Sequence, residues 1–340
     1  MKHWIGKTLA AVALLGSVLV MFTLLVELVG RATGLLELQP SATQFSATKG
    51  YELTPDLKTI NSHGLRDQEF PLVKPTHTFR ILALGDSFTY GHGLRDEETY
   101  VKQLEAMLNQ KLGNHGIRYE VLNAGVPGYN THQELIHLQE VGLLYHPDVI
   151  LIGFTMSDAE LGVFGLKNIG GRNWPTLLKE WIKDHFALYQ FIRLRLKRLV
   201  DRIEAAKYSV KVGGTSVLPL QLAAAGKTND GWELCRQSLE KFAAIGGIRG
   251  IPVLLIIYPF LGQLDDTYPF RESHALIART ATGYGMGIVD LLPHFTGQEP
   301  SGLWVSPTDS HPNGFANTIA ARGIFDALIA YRLLPASPSP

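Results

Sequence analysis

Residues 8–26 form an unbroken apolar run of nineteen positions without a charge, TLAAVALLGSVLVMFTLLV. A helix of that length just reaches across a hydrocarbon core of about 30 Å. Lys2 and Lys7 precede the run, and Glu27 and Arg31 follow it. A cleaved signal peptide usually has an apolar core of about 7–15 residues with a small-x-small cleavage site close behind. This run is longer and no clean site follows closely, so residues 1–31 read as an uncleaved transmembrane signal-anchor. The flanking lysines predict a cytoplasmic amino terminus, with the remainder of a single-pass protein on the exported, periplasmic or extracellular side.

The pattern then changes twice. Residues 32–78 read as an irregular linker and lead-in, because Pro40, Pro55, Pro71 and Pro75 interrupt any long period. From residue 79 onward, short β-rich apolar runs alternate with segments that are apolar at helical spacing. The runs are 79–84 (FRILAL), 119–122, 149–154 (VILIGF), 253–258 (VLLIIY) and 287–289. The helical segments are 97–112, 133–144, 231–248, 271–283 and 314–333; in the first, Tyr100, Val101, Leu104, Met107, Leu108 and Leu112 fall on one face. Strands apolar on both sides and alternating with helices predict a parallel sheet covered on both faces. Five such strands predict one α/β domain over 79–334, a flavodoxin-like three-layer sandwich. Sheets of this kind bind ligands beyond the carboxyl ends of their strands.

One stretch departs from the alternation. Residues 162–230 form an insertion that is helical over 174–203, with FIRLRLKRLV at 191–200. From 171 to 211 there are ten Lys/Arg and four Asp/Glu, a local net of +6. It reads either as a solvated, cap-like insertion or as an amphipathic helix on an anionic membrane surface. Residues 207–222, with Gly213-Gly214, read as a flexible return loop, and 335–340 as a Pro/Ser tail.

Composition narrows the classes. With 31 basic and 31 acidic side chains, the chain lacks the basic field a nucleic-acid binder needs. An apolar fraction of 46% excludes disorder. Cys235, the lone cysteine, can form no internal disulfide and no cysteine-based zinc site. Among the scattered histidines, His92, His115, His132, His146 and His274 form no HxxxH or HxH pair and read as surface or loop residues, so no metal is expected. No GxGxxG or GxxxxGK[ST] loop is present, which disfavours a nucleotide binder and any nucleotide cofactor.

The turns after the strands hold the candidate chemistry. After the first comes Gly85-Asp86-Ser87-Phe88-Thr89-Tyr90-Gly91, with Ser87 at a strand-to-helix turn where a hydroxyl projects from a rigid edge. After the second comes Asn123-Ala124-Gly125-Val126-Pro127-Gly128-Tyr129-Asn130-Thr131, whose glycines allow close backbone approach to a ligand. Before the last helix comes Ser306-Pro307-Thr308-Asp309-Ser310-His311-Pro312-Asn313-Gly314, where an imidazole and a carboxylate supply a base and an orienting group. Each turn alone reads as well as an ordinary capping loop.

Taken together and in this order, the three turns resemble the SGNH (GDSL) hydrolase superfamily, over roughly residues 79–332. The lead-in Asn61-Ser62-His63-Gly64-Leu65-Arg66-Asp67 and the apolar run resemble a membrane-anchored branch of it. The resemblance implies Ser87 as nucleophile, His311 as base and the Gly128 N–H as an oxyanion donor beside the N–H of Ser87, with no cofactor. Two positions depart from the family pattern. Ser157, in Gly153-Phe154-Thr155-Met156-Ser157-Asp158, stands where the family has an asparagine that donates to the oxyanion. A serine hydroxyl there is shorter and must rotate into place. The usual Asp-x-x-His is Asp309-x-His311 here, with Thr308 at the expected acid position; Asp309 is taken as the orienting acid. The chemistry implied is acyl transfer through Ser87. It supports a serine esterase acting on an O-acylated envelope glycan or small ester, an O-acyltransferase on an envelope polysaccharide, or, through Ser157, a degenerate glycan-binding or assembly protein. Trp174, Trp181 and Trp232 are candidates for stacking on sugars, with buried packing as the alternative.

Overall fold

The computed structural model describes residues 2–37, 41–57, 59–113, 116–161, 174–193, 195–196, 220, 223–224, 226, 229–307 and 309–335. They fall into two compact units, one of residues 1–41 with 171–209 and one of 42–170 with 210–340.

The larger unit begins with an antiparallel hairpin of β1 (Thr43–Ser46) and β2 (Gly50–Leu53). Its sheet contains β3 (Thr78–Gly85), β4 (Arg118–Gly125), β5 (Val149–Phe154), β6 (Val253–Ile257) and β7 (Gly287–Asp290), all parallel, in the order β4-β3-β5-β6-β7. Every residue of β5 and β6 is buried, as expected of central strands covered on both sides. The α/β sandwich read from the sequence is therefore present, with β3 and β5 as the switch point where the strand order reverses.

In the smaller unit, α1 runs unbroken over Lys2–Ala32. Its residues Leu14–Ala32 are long and apolar enough to cross a membrane, by length and composition. In the larger unit, the first short helix is α2 (Ser87–Tyr90), followed by α3 (Tyr100–Leu112) and α4 (Thr131–Glu140). Thr99 caps α3, accepting from the Lys102 N–H, so the helix expected from residue 97 starts at Tyr100 behind a 3₁₀ turn at Asp96–Glu98. The helix expected over 133–144 is capped at its start by Asn130 and ends at Glu140, where Val141 leaves helical geometry.

Within the smaller unit, α5 (Trp174–His185) stops at Phe186, and the chain is helical again over 187–193. The uninterrupted helix expected over 174–203 is thus broken. The second piece is capped from outside: the Glu27 carboxylate of α1 accepts the N–H groups of Ala187 (2.8 Å) and Leu188 (2.7 Å). A carboxylate at a helix start satisfies orphan donors and opposes the positive end of the helix dipole. Residues 197–203, like the return loop up to residue 219, lie outside the described residues.

Back in the larger unit come α6 (Asp230–Arg249), α7 (Arg271–Gly283), α8 (Leu292–Phe295), a two-stranded ribbon of β8 (Trp304–Ser306) and β9 (Asp309–Pro312), and α9 (Gly314–Ala330). α3 packs against α9 and α4 against α6. The last helix ends three residues before the expected 333.

The lead-in is more than a linker. Leu53, Ile60, Leu65 and Phe70 are buried, and Leu53 and Ile60 share a small core with Val126 and Tyr129 of the loop after β4. The prolines that hide any period in this stretch do not prevent burial of single apolar side chains.

Candidate active site

At the end of β3 the chain turns directly into α2. Asp86 is the N-cap: its Oδ1 accepts the Phe88 N–H at 2.8 Å, and its Oδ2 accepts from Thr155 Oγ1 at 2.9 Å. The aspartate of the Gly-Asp-Ser triplet is therefore a buried clamp between two loops. It leaves Ser87 as the first residue of the helix, half-exposed at the carboxyl edge of the sheet.

β9 brings His311 to that hydroxyl. His311 Nε2 lies 2.9 Å from Ser87 Oγ, and His311 Nδ1 lies 2.5 Å from Asp309 Oδ1. The same Asp309 oxygen accepts the backbone N–H of His311 at 3.1 Å. This local turn explains how a carboxylate two residues away reaches the ring; Thr308 lies outside the described residues. Burial works to raise the Asp309 carboxyl, but the bonds and charge of His311 outweigh it and hold the group below the usual range. Asn313 fixes the far end of β9 by capping α9 through Ala316 N–H (3.0 Å) and donating to the Gly302 carbonyl (2.9 Å). Phe88 packs edge-on against both His311 and the buried Tyr258. Tyr258 thus supports the site from the interior and does not face solvent. A hydroxyl, an imidazole and a carboxylate linked in this order can deprotonate the hydroxyl for attack on a carbonyl.

The Gly128 loop stands beside Ser87 because β3 and β4 are in register up to Gly85 and Gly125, and Val126 N–H bonds the Gly85 carbonyl at 2.9 Å. Gly128 has φ 80°. Among the described residues, neither its N–H nor that of Ser87 donates a hydrogen bond. The lead-in holds this loop: Tyr51 Oη donates to the Pro127 carbonyl at 2.7 Å, and Tyr129 Oη donates to the Tyr51 carbonyl at 2.6 Å. A Cβ on Gly128 would meet Tyr51 Oη at 3.0 Å. Gly128→Ala is therefore expected to lower kcat by about 10²-fold, the scale of one misplaced oxyanion donor, with a melting temperature lower by only a few degrees. Unchanged kcat would remove Gly128 from the site.

Ser157 follows β5 in a 3₁₀ turn, Met156–Ala159. Thr155 Oγ1 donates to Asp86, so its contact with Ser157 Oγ at 2.8 Å must be one that it accepts, since a hydroxyl has one hydrogen. With Asp86 ionised, the Ser157 hydroxyl then donates to Thr155 Oγ1. Ser157→Asn is expected to raise kcat about tenfold by adding a fixed donor. A loss of turnover would show that the position does not face the oxyanion.

Behind this relay lie three buried carboxyls: Asp86, Asp158 and Glu134 of α4. Burial, reinforced by their mutual repulsion, pushes Asp158 and Glu134 well above the usual carboxylate range, and burial raises Asp86. Neither Glu134 oxygen has a hydrogen-bond partner among the described residues. Groups raised on folding take up protons, so their stabilisation is complete below the ordinary carboxylate pKa of about 4 and is lost as pH rises through the folded values. The melting temperature is expected to fall by at least about 3 °C from pH 6 to pH 9, and Glu134→Gln to narrow that fall. An identical fall in both proteins would exclude Glu134 as a contributor.

Several residues that build the site have no role legible in the sequence. Arg66 of the lead-in donates to the carbonyls of Tyr90, Gly91 (2.5 Å) and Leu94 (2.5 Å), fixing the turn after α2. Asp67 accepts the Asn123 N–H at 2.9 Å and pairs with Lys102 at 2.8 Å, while burial pushes its carboxyl up to about 6. Both lie in the lead-in motif at 61–67, but nothing in the sequence says which loop they brace. Among the histidines expected on the surface or in loops, His92 and His146 are exposed outside helices and strands, His132 is half-buried on α4, and His274 departs furthest. His274 is buried between Asp290 (2.8 Å) and Tyr268 Oη (2.9 Å), and His92 lies beside Asp309 and His311. His115 lies outside the described residues. Trp232 is buried in the core, while Trp181 is exposed and stacks on His185 in the smaller unit. A surface pocket lined by Lys74, His146, Asp148 and Arg249 lies at the amino ends of the strands, away from this chemistry.

The family model described as GDSL-like Lipase/Acylhydrolase matches residues 83–317. No curated protein matches the chain. Among solved structures, TesA is 18% identical, with 75% of this chain and 99% of that one covered and a TM-score of 0.42. A two-domain esterase (CEX) active on acetylated mannans is 15% identical over 77% of this chain and 52% of its own, at a TM-score of 0.45. A mutant of Axe2, an acetylxylan esterase from Geobacillus stearothermophilus, is 15% identical over 74% and 94%, also at 0.45.

Proposed function

Because the chain belongs to the GDSL-like lipase/acylhydrolase family and is an ester hydrolase of the SGNH type, we propose that Ser87, His311 and Asp309 carry out its reaction on an O-acylated glycan of the cell envelope or a small ester. The observation that carries this reading is the hydrogen-bonded chain from Ser87 Oγ through His311 to Asp309. His311 Nε2 takes the Ser87 proton as Oγ bonds to the ester carbonyl carbon. The oxyanion is stabilised by the Ser87 and Gly128 N–H groups, with the Ser157 hydroxyl as a third donor when it rotates away from Thr155. The protonated imidazole then returns its proton to the leaving alkoxide, and the C–O bond of the ester breaks. Water, deprotonated by His311, repeats the sequence on the acyl-enzyme and releases the acid.

The substrate class is supported by access. The side chains of Asp309 and His311 are each 30% exposed, which suits an acyl group presented on a polymer surface. In the same proposal, α1 anchors the protein as a single span with the hydrolase domain, residues 79–334, on the exported side. The segment 174–196 lies in the adjacent lipid interface: Leu178, Trp181, Phe191, Ile192 and Leu196 are exposed, and Lys179, Lys183, Arg193 and Arg195 are interspersed. The tie between Glu27 and residues 187–188 sets this segment at the end of the apolar run.

The test is acyl release by the detergent-solubilised full chain from an aryl acetate and from acetylated envelope polysaccharides, with and without sugar acceptors. Free acetate that depends on Ser87 is the expected result. Acyl-sugar product growing with acceptor concentration would assign an O-acyltransferase instead, and no Ser87-dependent turnover on any ester would leave a binding protein.

A further inference from the structure

His92 stands next to the proposed reacting groups without belonging to their hydrogen-bonded chain. It occupies Gly91-His92-Gly93, the turn that leaves α2. Both glycines are left-handed (φ 78° and 79°), and the N–H groups of Gly91 and His92 both bond the Ser87 carbonyl at 3.0 Å. With Arg66 holding the Gly91 carbonyl, the backbone that carries the imidazole is fixed. Its Nε2 lies 3.9 Å from Asp309 Oδ2, and its ring centroid lies 4.7 Å from that of His311. One donor atom from each of His92, Asp309 and His311 lies within 4.8 Å of the others. The three side chains are 52%, 30% and 30% exposed, so the cluster opens to solvent.

We propose that His92, Asp309 and His311 form a binding site for a zinc-class divalent cation, and that its occupancy switches the hydrolase off. The inference rests on the reading of His311 as the base. Two imidazoles and one carboxylate suit zinc, whereas magnesium and calcium prefer all-oxygen sites. In a tetrahedral ion with bonds of about 2.0–2.1 Å, neighbouring donors lie about 3.3 Å apart. Closure to that spacing requires movement of the His92 side chain, and water completes the shell. Coordination through Nδ1, the nitrogen that faces Asp309, silences His311. Bound through Nδ1, it loses Asp309 and carries its hydrogen on Nε2, which then cannot accept one. His92 decides whether the ion is held, because without it only the two chain members remain.

The test uses the full chain in detergent. Zinc chloride is titrated calorimetrically into wild type and His92→Ala, while aryl acetate turnover and fluorophosphonate labelling are followed with zinc, with magnesium, and after chelation. One zinc per chain is expected, with at least a tenfold loss of wild-type rate and labelling that the chelator reverses and magnesium does not produce. His92→Ala should melt at the wild-type temperature, keep its metal-free rate within about threefold, and need at least tenfold more zinc for half-inhibition. Equal inhibition of both proteins, or no zinc bound by wild type, overturns the site. Absence of metal-free turnover and labelling defeats the esterase reading and the off-switch with it, while calorimetry still decides whether the site binds zinc.

Discussion

Ser87→Ala is expected to lower ester turnover by about 10⁴–10⁶-fold while leaving the fold intact. The size follows from what the hydroxyl does in the proposed mechanism. No covalent intermediate can form without Oγ, and the remaining rate comes from the N–H donors and from positioning alone. The substitution is small and the site half-exposed, and α2 is held by its cap at Asp86 and not by the Ser87 side chain. The melting temperature should therefore move by no more than a few degrees. Turnover of the purified variant on an aryl acetate, compared with wild type at matched melting temperature, measures this directly. Retention of even a tenth of the rate would place the nucleophile elsewhere.

Asp309→Asn should cost about 10³–10⁴-fold in kcat with little change in KM. An asparagine keeps the size of the carboxylate but can donate its amide to His311 Nδ1. That favours the wrong tautomer and removes the charge that stabilises the imidazolium. The prediction bears on the shortened Asp-x-His spacing. Within the described residues, Asp309 Oδ1 is the acceptor at His311 Nδ1, at 2.5 Å. A modest loss, tenfold or less, would mean that another group orients the ring. The wild-type rate would mean that orientation is supplied without a side-chain acid.

The sheet was legible because its strands are apolar on both faces, a pattern that only a covered parallel sheet makes economical. β5 and β6 illustrate this, with every residue buried. The position of Ser87 was legible for a related reason: a glycine-bounded polar turn directly after such a strand leaves a side chain at the carboxyl edge. The scaffold of the site was less legible, since its bonds join segments far apart in the chain. Tyr51 reaches Pro127 across 76 residues, and Asp67 reaches Asn123 across 56. Local periodicity carries no record of such pairs, and in the lead-in the prolines suppress it altogether. The break at Phe186 was illegible for the same reason, because the cap that starts the next helix is Glu27, 160 residues earlier. Ser157 was visible as a departure from a motif, but the direction of its hydroxyl depends on Thr155 and Asp86 together. His92 shares no sequence pattern with Asp309 and His311; it meets them only because β9 returns to the turn after α2.

The mass of the covalent adduct identifies the nucleophile directly. The full chain, treated with a fluorophosphonate, is digested and its peptides are sequenced by mass spectrometry, alongside His311→Ala. One phosphonylated residue, Ser87, is expected in wild type, with at least a hundredfold slower labelling in the variant. A label on any other residue, or equal labelling rates in the two proteins, would contradict the proposed mechanism.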